Sequence, residues 1–385
     1  MKTPIRKKVA EANGVSTEKP IYSVVIDGCN LLKICMVNKH MNDLGKDYGA
    51  VHMFLIQIGR LLMKKDFDYC TVCWDGEGSG FLRWKLYPDY KANRDKNYAL
   101  HDPDLSPMFK EQLLRERIIL EKAKQKLSEE DEDMSFHRQK LIVQRILDEL
   151  CVRQFEYELV EGDDLISNYV RNKKESERVV IMSGDKDITQ LISPTVAIYH
   201  PNKHEFITES NAVSMIGVRH DNVVVEKILC GDSSDNIKGI KGIGEQTLLK
   251  HVPELLTEKV DLGFVLKRAQ DIQDERKSRK LKPLKALDNI LQGITDGSQG
   301  DNIYEVNKAI IDLSEPLLTD EAKQGMEDEC YAPIDTSERD VKNVYRIIND
   351  EHMYNMTDES KFGNVLAPFG RIIAQEQKRY KMANN

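Results

Sequence analysis

An α/β fold with a mostly parallel central sheet is what the sequence predicts, and three observations carry that expectation. First, short apolar, β-branched runs recur in the first half of the chain: IYSVVID (21–27), YCTVCWD (69–75), FEYELV (155–160), RVVIMS (178–183) and TVAIYH (195–200). Each has the length of a buried strand. Second, stretches of helical periodicity lie between them, notably VHMFLIQIGRLLMKK (51–65) and DDLISNYV, which opens at Asp163. Such alternation implies parallel strands with helices on both faces. Third, four of the strands run into acids, and in such sheets the working site lies beyond the carboxyl ends of the strands. A single acid there means little, because Asp is common in turns and caps. Four arriving on one edge are harder to dismiss.

Size and composition are compatible with this. A chain of 385 residues can form one large domain or two ordinary ones around a substantial core. The charged fraction, 31%, is high and the apolar fraction, 40%, slightly low, which suits a soluble protein with charged excursions. No apolar run approaches the roughly 18–20 residues of a membrane span. Residues 1–20 are basic and polar without an apolar h-region, and read as a loose tail, not a signal peptide. Seven scattered cysteines, an odd number, fit a reducing cytosol. Cys70 and Cys73 form one CxxC, but no second pair or histidines follow at zinc spacing, so they read as small buried strand residues.

The net charge of −8, taken alone, argues against nucleic acid as a partner. The sum hides a distribution. Acids fall into five groups: Asp27 in IDGCN, Asp75 in WDGEG, Glu161 with Asp163 and Asp164 in EGDD, Asp185 with Asp187 in GDKD, and Asp232 with Asp235 in GDSSDN. Oxygen donors without nearby His or Cys suit hard cations, Mg²⁺ or Mn²⁺. Two carboxylates about 5 Å apart repel by roughly 3 kcal/mol at an effective dielectric near 20, which two divalent ions would offset. Each group also has a plain reading: GDKD as an Asp-rich turn, EGDD as a helix start, GDSSDN as a capped turn. Their joint arrangement favours the metal.

Two further elements stand out. GIKGIGEQTLLK (239–250) has glycines at 239, 242 and 244 that permit a tight hairpin between helices, whose exposed N–H groups can hold phosphate. No strand precedes it and no GxxxxGK[ST] occurs, which disfavours dinucleotide-binding and P-loop readings. Residues 81–150 read as an insertion between strands. It opens with cations among aromatics, FLRWKLYPDYKANR, where Arg83, Lys85, Lys91 and Arg94 would clamp phosphate and Trp84, Tyr87 and Tyr90 would pack or stack on bases. The plain alternative is a solvated amphipathic segment with core-facing aromatics. The acidic run SEEDED (128–133) sits within this insertion, and DERKSRKLKPLK (274–285) is a basic, exposed segment.

In order, VVIDGCN, WDG, RWKLYPDYKANR, VEGDDLIS, IMSGDKDITQL and LCGDSSDNIKGIKGIGEQT resemble flap endonuclease-like 5′-nucleases, above all the bacterial polymerase-associated and bacteriophage RNase H-type members. The resemblance covers about residues 21–255. It implies a PIN-like nuclease domain (21–210) with a helical arch over the site, and a helix–hairpin–helix (H3TH) region (211–314). It implies that Asp27, Asp75, Glu161, Asp163 and Asp185 hold a first Mg²⁺ and that Asp187, Asp232 and Asp235 belong to a second. Mn²⁺ is a substitute, and Asp164 an additional acid. Lys91 and Arg94 resemble arch-base cations that position the scissile phosphate. Gly239, Lys241, Gly242 and Gly244 belong to the hairpin, where K⁺ and one strand of duplex DNA bind. The implied substrates are DNA with a 5′ flap, a nick or an RNA primer, in the cytoplasm of a bacterium or phage-infected cell. Gly162 stands where the family usually has Ala, and residues 315–385 have no counterpart; a contact with a sliding clamp or single-strand DNA-binding protein is the expectation placed there. Two competing readings are a non-catalytic DNA-junction binder, which a missing acid would favour, and a PIN-type ribonuclease, which would need no hairpin.

Overall fold

Side chains of a strand alternate between its two faces, and Ile21–Asp27 (β1) uses both. Val24 and Ile26 enter one core and Val25 the opposite one, each at most 1% exposed. A strand apolar on both faces must lie in the middle of a sheet covered on both sides. The computed structural model describes residues 19–92, 132–295, 302–356 and 359–384. There β1 pairs in parallel with β2 (Tyr69–Cys73) and β4 (Glu177–Met182). The six-stranded sheet runs β3-β2-β1-β4-β5-β6, with β3 Arg153–Phe155, β5 Val196–His200 and β6 Glu205–Ile207. Only the short edge strand β6 is antiparallel. The mostly parallel sheet expected from the sequence is therefore observed.

Cys70 and Cys73 settle as buried strand residues on opposite faces of β2, in different cores, so they cannot chelate one ion together. FEYELV is a correction. Only Phe155 joins the sheet, and residues 156–160 turn away with Leu159 at a φ of 68°. That loop bonds instead to the segment after β2, through Gly76 N to Val160 O (3.0 Å) and Leu159 N to Glu77 O (2.8 Å). Gly76 is required there, because a Cβ would sit 1.7 Å from Tyr157 O. The crossing delivers Glu161 to the same edge as the other acids.

One face of the sheet carries Gly28–Cys35 (α1), Gly49–Leu62 (α2) and Glu132–Glu149 (α4). A short helix, Phe81–Leu86 (α3), follows the acid-bearing end of β2. The other face carries Gly162–Asn172 (α5). A second body, with its own core, contains Val223–Cys230 (α6), the two-stranded β7 (Gly231–Asp232) and β8 (Ile237–Lys238), Glu245–His251 (α7), Leu262–Ser278 (α8), Lys285–Gln292 (α9) and Ile303–Ile311 (α10). The stretch 81–150 is thus not wholly an excursion: Ile142, Val143, Ile146 and Leu147 of α4 are core residues. Residues 128–131 of the acidic run, Arg94 and the first eighteen residues lie outside the described residues, while the last two residues of the run begin α4.

The C-terminal segment folds back on the sheet. Asp320–Glu329 (α11) packs on α5, Val341–Asp350 (α12) on α4 and Glu359–Leu366 (α13) on α2, while Gly370–Ala383 (α14) bonds to the segment before β2 through Arg371 to Phe67 O (3.3 Å) and Arg379 to Asp68 O (2.9 Å). Val344, Ile348, Phe362, Phe369 and Ile372 are each at most 1% exposed in the same core as β1. At the far end of the sheet from the acids, fully buried Glu177 accepts hydrogen bonds from Ser23, from Tyr169 Oη (2.9 Å) and from Tyr331 Oη, which ties the C-terminal segment to the strands.

Phe369→Ala is expected to destabilise the chain by about 3–5 kcal/mol in chemical denaturation, the usual cost of emptying a buried Phe site. A loss below about 1 kcal/mol, or a separate early transition, would show that 315–385 is an appendage and not part of this core.

Candidate active site

The acids expected from the sequence converge. Asp27, Asp75, Glu161, Asp163, Asp185, Asp187, Asp232 and Asp235 all line one cleft of about 640 Å³ beyond the carboxyl ends of β1–β4, together with Lys91. Each arrives for a local reason. Asp27 ends β1 and caps α1, accepting from Asn30 N (3.0 Å). Ser183, just past β4, donates to its other oxygen (2.8 Å). Asp75 follows β2 and accepts the first N–H of α5, from Gly162 (2.8 Å). Glu161 is the residue before α5, and Asp163 lies in its first turn, where acids meet the helix dipole favourably. Asp185 and Asp187 follow β4 in a turn closed by Asp187 N to Asp185 Oδ1 (2.8 Å). Asp232 and Asp235 lie in the β7–β8 hairpin.

The cleft gathers nine carboxylates, counting Glu226, against four lysines. That imbalance shows in the titration. Burial and then Asp75 raise the Asp27 carboxyl to about 7. Burial, then Asp27 and Asp185, push Asp163 well above the usual range. Asp187 rises to about 6 through burial, against the pull of Lys227. Two acids are held the other way. Burial would raise Glu161, but Arg83 and Lys91 bring it to about 2; burial would raise Asp232, but Lys227 and Ser234 also bring it to about 2. An excess of oxygen donors, several with proton affinity raised by burial and then by neighbouring carboxylates, fits divalent cations. Among the described residues no three of the acids close into a ready-made cage. The acids stand around the cleft, and lysines bridge some of them.

Those cations are where the sequence reading needs revision. Arg83, expected on DNA, is 6% exposed. It lies beneath the cleft, pairing with Glu161 (2.6 Å) and Asp164 (2.5 Å) and donating to Ile310 O (2.8 Å). Asp164 is likewise no ligand: it is 1% exposed, spent on Arg83 and on Leu317 N (2.9 Å), and absent from the cleft wall. Tyr90 is buried instead of stacking on bases, and its hydroxyl reaches Glu161 (3.1 Å) and Asp235 (3.2 Å). Burial and Glu161 push that phenol up, so it stays a donor. Tyr87 is buried as well and Trp84 half-buried, while Lys85 is exposed. Lys91 does lie inside the cleft: it pairs with Glu161, in a left-handed backbone conformation (φ 56°) held by its N–H to Asp235 O (2.8 Å).

Lys227 was missed. It pairs with Asp187 and with Asp232 (2.6 Å), and both partners push its ammonium up against burial. Glu226 beside it pairs with Lys186 (2.9 Å). The signal was available: a Glu–Lys pair inside the otherwise apolar helix VVVEKILC, one turn before GD. Asn30, whose Oδ1 accepts Gly184 N (2.9 Å), was missed too.

Residues 239–244 form a turn into α7, closed by Ile243 N to Ile240 O (2.9 Å), but the two-residue strand β8 leads into it where the sequence suggested a loop. Gly239 passes so close to Cys230 that a Cβ would sit 2.2 Å from its carbonyl carbon, and Gly242 takes a φ of 78°. Lys241, Gly242 and Gly244 are exposed, and Lys241 O accepts from Asn289 Nδ2 (2.8 Å). Gly162 packs at the cleft floor: a Cβ there would meet Asp75 Oδ1 at 3.2 Å.

Among the described residues no helix is long and apolar enough to cross a membrane. The model of the 5′-3′ exonuclease N-terminal resolvase-like domain matches residues 23–217, just over half of the chain. The matched span takes in most of the sheet and six of the eight expected acids, and it defines the class as that of 5′-3′ exonuclease N-terminal domains. The chain belongs to the 5′-3′ exonuclease family. It is 35% identical over 148 residues to the thermostable DNA polymerase I of Thermus caldophilus, covering 38% of this chain and 17% of that one. It is 26% identical over 249 residues to DNA polymerase I of Bacillus subtilis, covering 63% and 24%. The chain therefore spans about a fifth of the length of these curated relatives. The crystal structure of bacteriophage T5 D15 flap endonuclease, a pseudo-enzyme-product complex with DNA and metal ions, superposes with a TM-score of 0.51 at 17% identity, over 93% of this chain and 99% of that one, and shares its fold.

Metal-free stability has a defined pH slope. Asp27, Asp163 and Asp187 keep protons to higher pH in the folded chain than in the unfolded one. The folded state binds the extra protons between the ordinary value of 3.8 and about 7 for Asp27, so stability falls as pH rises through that window. Glu161 and Asp232 act oppositely and lose their contribution only as pH falls toward 2. In chelator, Asp27→Asn is expected to be more stable than wild type at neutral pH, by on the order of a kcal/mol or more, with a flatter slope between about pH 4 and 7. An unchanged slope would mean that the Asp27 carboxyl is not raised in the folded chain.

Proposed function

We propose that this chain hydrolyses phosphodiester bonds at the 5′ ends of DNA carrying a flap, a nick or an RNA primer, during replication or repair in a bacterial or phage-infected cytoplasm. The observation that carries it is the convergence of all eight expected acids and Lys91 on one cleft. Asp27, Asp75, Glu161, Asp163 and Asp185 are the residues to hold one Mg²⁺, and Asp187, Asp232 and Asp235 a second, with Mn²⁺ able to replace either. Bound divalent cations would supply Lewis acidity toward the phosphate and lower the pKa of a water.

The rest is the work of the chain. Lys91, anchored on Glu161 and on Asp235 O, is positioned to meet a phosphate oxygen and balance the charge that grows there. Arg83 holds Glu161 from below so that the carboxylate keeps its orientation. Tyr90 joins Glu161 to Asp235 and so couples the sheet side of the cleft to the hairpin side. Lys227 holds Asp187 and Asp232 together until cations take over the charge balance. The backbone around Gly239, Lys241, Gly242 and Gly244 suits a duplex strand, with K⁺ at its carbonyls, and Arg94 would join Lys91 on the phosphate. Retention of every expected acid argues against the non-catalytic junction binder, and the hairpin argues against a PIN-type ribonuclease.

A 5′-labelled flap duplex is expected to be cut in Mg²⁺, leaving 5′-phosphate and 3′-hydroxyl ends. Asp185→Asn and Asp235→Asn should abolish cutting, and Lys91→Ala should lower kcat by roughly 10²–10³-fold with the substrate still bound. No cleavage by the wild type in either Mg²⁺ or Mn²⁺ would sink the assignment, and preference for an all-RNA flap would favour the ribonuclease.

A further inference from the structure

One basic feature plays no part in the cleft. Residues 276–285, RKSRKLKPLK, hold six cations and no acid within a chain of net charge −8. They form the end of α8 and the loop into α9, and Lys277, Arg279, Lys280, Lys282 and Lys285 are all exposed. We propose that this loop is a second duplex-DNA contact that holds the phosphate backbone of the substrate's double-stranded arm beyond the glycine hairpin. The proposal rests on the DNA-nuclease reading above and extends its footprint.

Three observations carry it. The loop is preorganised. Arg276 Nε donates to Lys282 O (2.9 Å), Leu281 N to Arg276 O (2.9 Å), and Gln273 clasps Leu284 through both N–H to Leu284 O (3.0 Å) and Leu284 N to Gln273 Oε1 (3.0 Å). Lys280 is fixed in the left-handed region (φ 58°), turning the chain sharply at the helix end. Cations held on such a frame lose less freedom on binding than cations on a loose loop. The loop also belongs to the hairpin's own body. Asn289 of α9 donates to Lys241 O (2.8 Å), Lys241 N donates to Ile294 O (2.8 Å), and Ala286 lies 4.0 Å from where a Cβ of Gly242 would be. Lys285 begins the helix that buttresses the hairpin, so one strand could run from hairpin to loop. Finally, the segment contains no aromatic residue. Single-strand binders stack bases on aromatic rings, whereas cations alone read phosphate without regard to sequence. The composition favours the duplex backbone.

The test compares wild type with the combined variant Lys277→Gln, Lys280→Gln, Lys282→Gln, Lys285→Gln. The probes are a labelled flap DNA with a long duplex arm, one with a short arm, and a single strand. Anisotropy in chelator over roughly 50–300 mM salt gives Kd and its salt slope. The variant is expected to bind the long-arm substrate about 10-fold more weakly near 150 mM salt, with a slope shallower by about 0.9 for every phosphate no longer neutralised. Short-arm and single-strand affinities should change little, and single-turnover cleavage at saturating protein should be unchanged. Unaltered long-arm affinity and slope would overturn the proposal. So would an equal loss on the single strand, or an equal loss in the charge-matched variant Lys342→Gln, Arg346→Gln, Lys378→Gln, Lys381→Gln. If the wild type cuts flaps while the loop variant behaves as wild type, this inference alone fails. If the wild type neither binds nor cuts duplex DNA, the nuclease reading fails with it.

Discussion

Repulsion among carboxylates is the constraint to which much of this molecule answers. Nine acids face one cleft, and like charges packed beside a low-dielectric core cost several kcal/mol unless something opposes them. The chain opposes them in two distinct ways. Beneath the cleft, Arg83 is permanently charged, buried and bidentate on Asp164 while it also grips Glu161. That ion network fixes the floor. Within the cleft, Lys227 and Lys91 bridge or meet acids that remain at the surface of the cavity. A lysine is a flexible point charge, so on the metal reading proposed above these contacts would give way to a better counter-ion. On that reading the floor is permanent and the walls are replaceable.

The same constraint explains how elements distant in sequence are joined. Glu161 stands before α5, Asp235 lies in the β7–β8 hairpin, and Tyr90 spans them with one hydroxyl. Nearby, Tyr87, Tyr90, Ile228, Ile237, Ile310 and Ile311 form a small apolar cluster linking the turn after α3 to α6, β8 and α10. Asn307 of α10 closes the joint by donating to Ile228 O (3.1 Å) and Lys238 O (2.9 Å). The hairpin body is therefore docked on the sheet at the point where the acids of both must cooperate. A wet, loosely packed junction there would let Asp232 and Asp235 drift from the other six.

Strand positions and acid positions were legible because both follow short-range rules. Buried parallel strands are apolar runs, and functional residues of such sheets collect at the carboxyl edge. What was not legible depends on direction and depth. Arg83 and Lys91 look alike in FLRWKLYPDYKANR, yet α3 turns one inward to the floor and delivers the other to the wall. Asp163 and Asp164 are adjacent, and a helix rotates neighbours by about 100°, so only one faces the cleft. FEYELV has strand periodicity but yields to a turn, because the close passage over Gly76 gives its backbone other partners. The C-terminal segment carried no motif, since a helix that only completes a core is marked by apolar periodicity and nothing else.

Charge distribution completes the physical account. A chain of net charge −8 approaching a polyanion faces a long-range penalty, and that penalty is lowest if the negative charge is concentrated where cations will bind. Much of the formal excess lies there: nine carboxylates against four lysines give the cleft a formal charge of five negative before its raised acids take up protons. Cations loaded there would neutralise that region, while the exposed lysines on the hairpin and on the loop after α8 keep their charge in every state. The surface potential near the hairpin body would therefore turn more positive as the cleft fills. On the nuclease reading proposed above, metal loading would raise affinity for DNA through the charge of the cleft itself, without any change in fold.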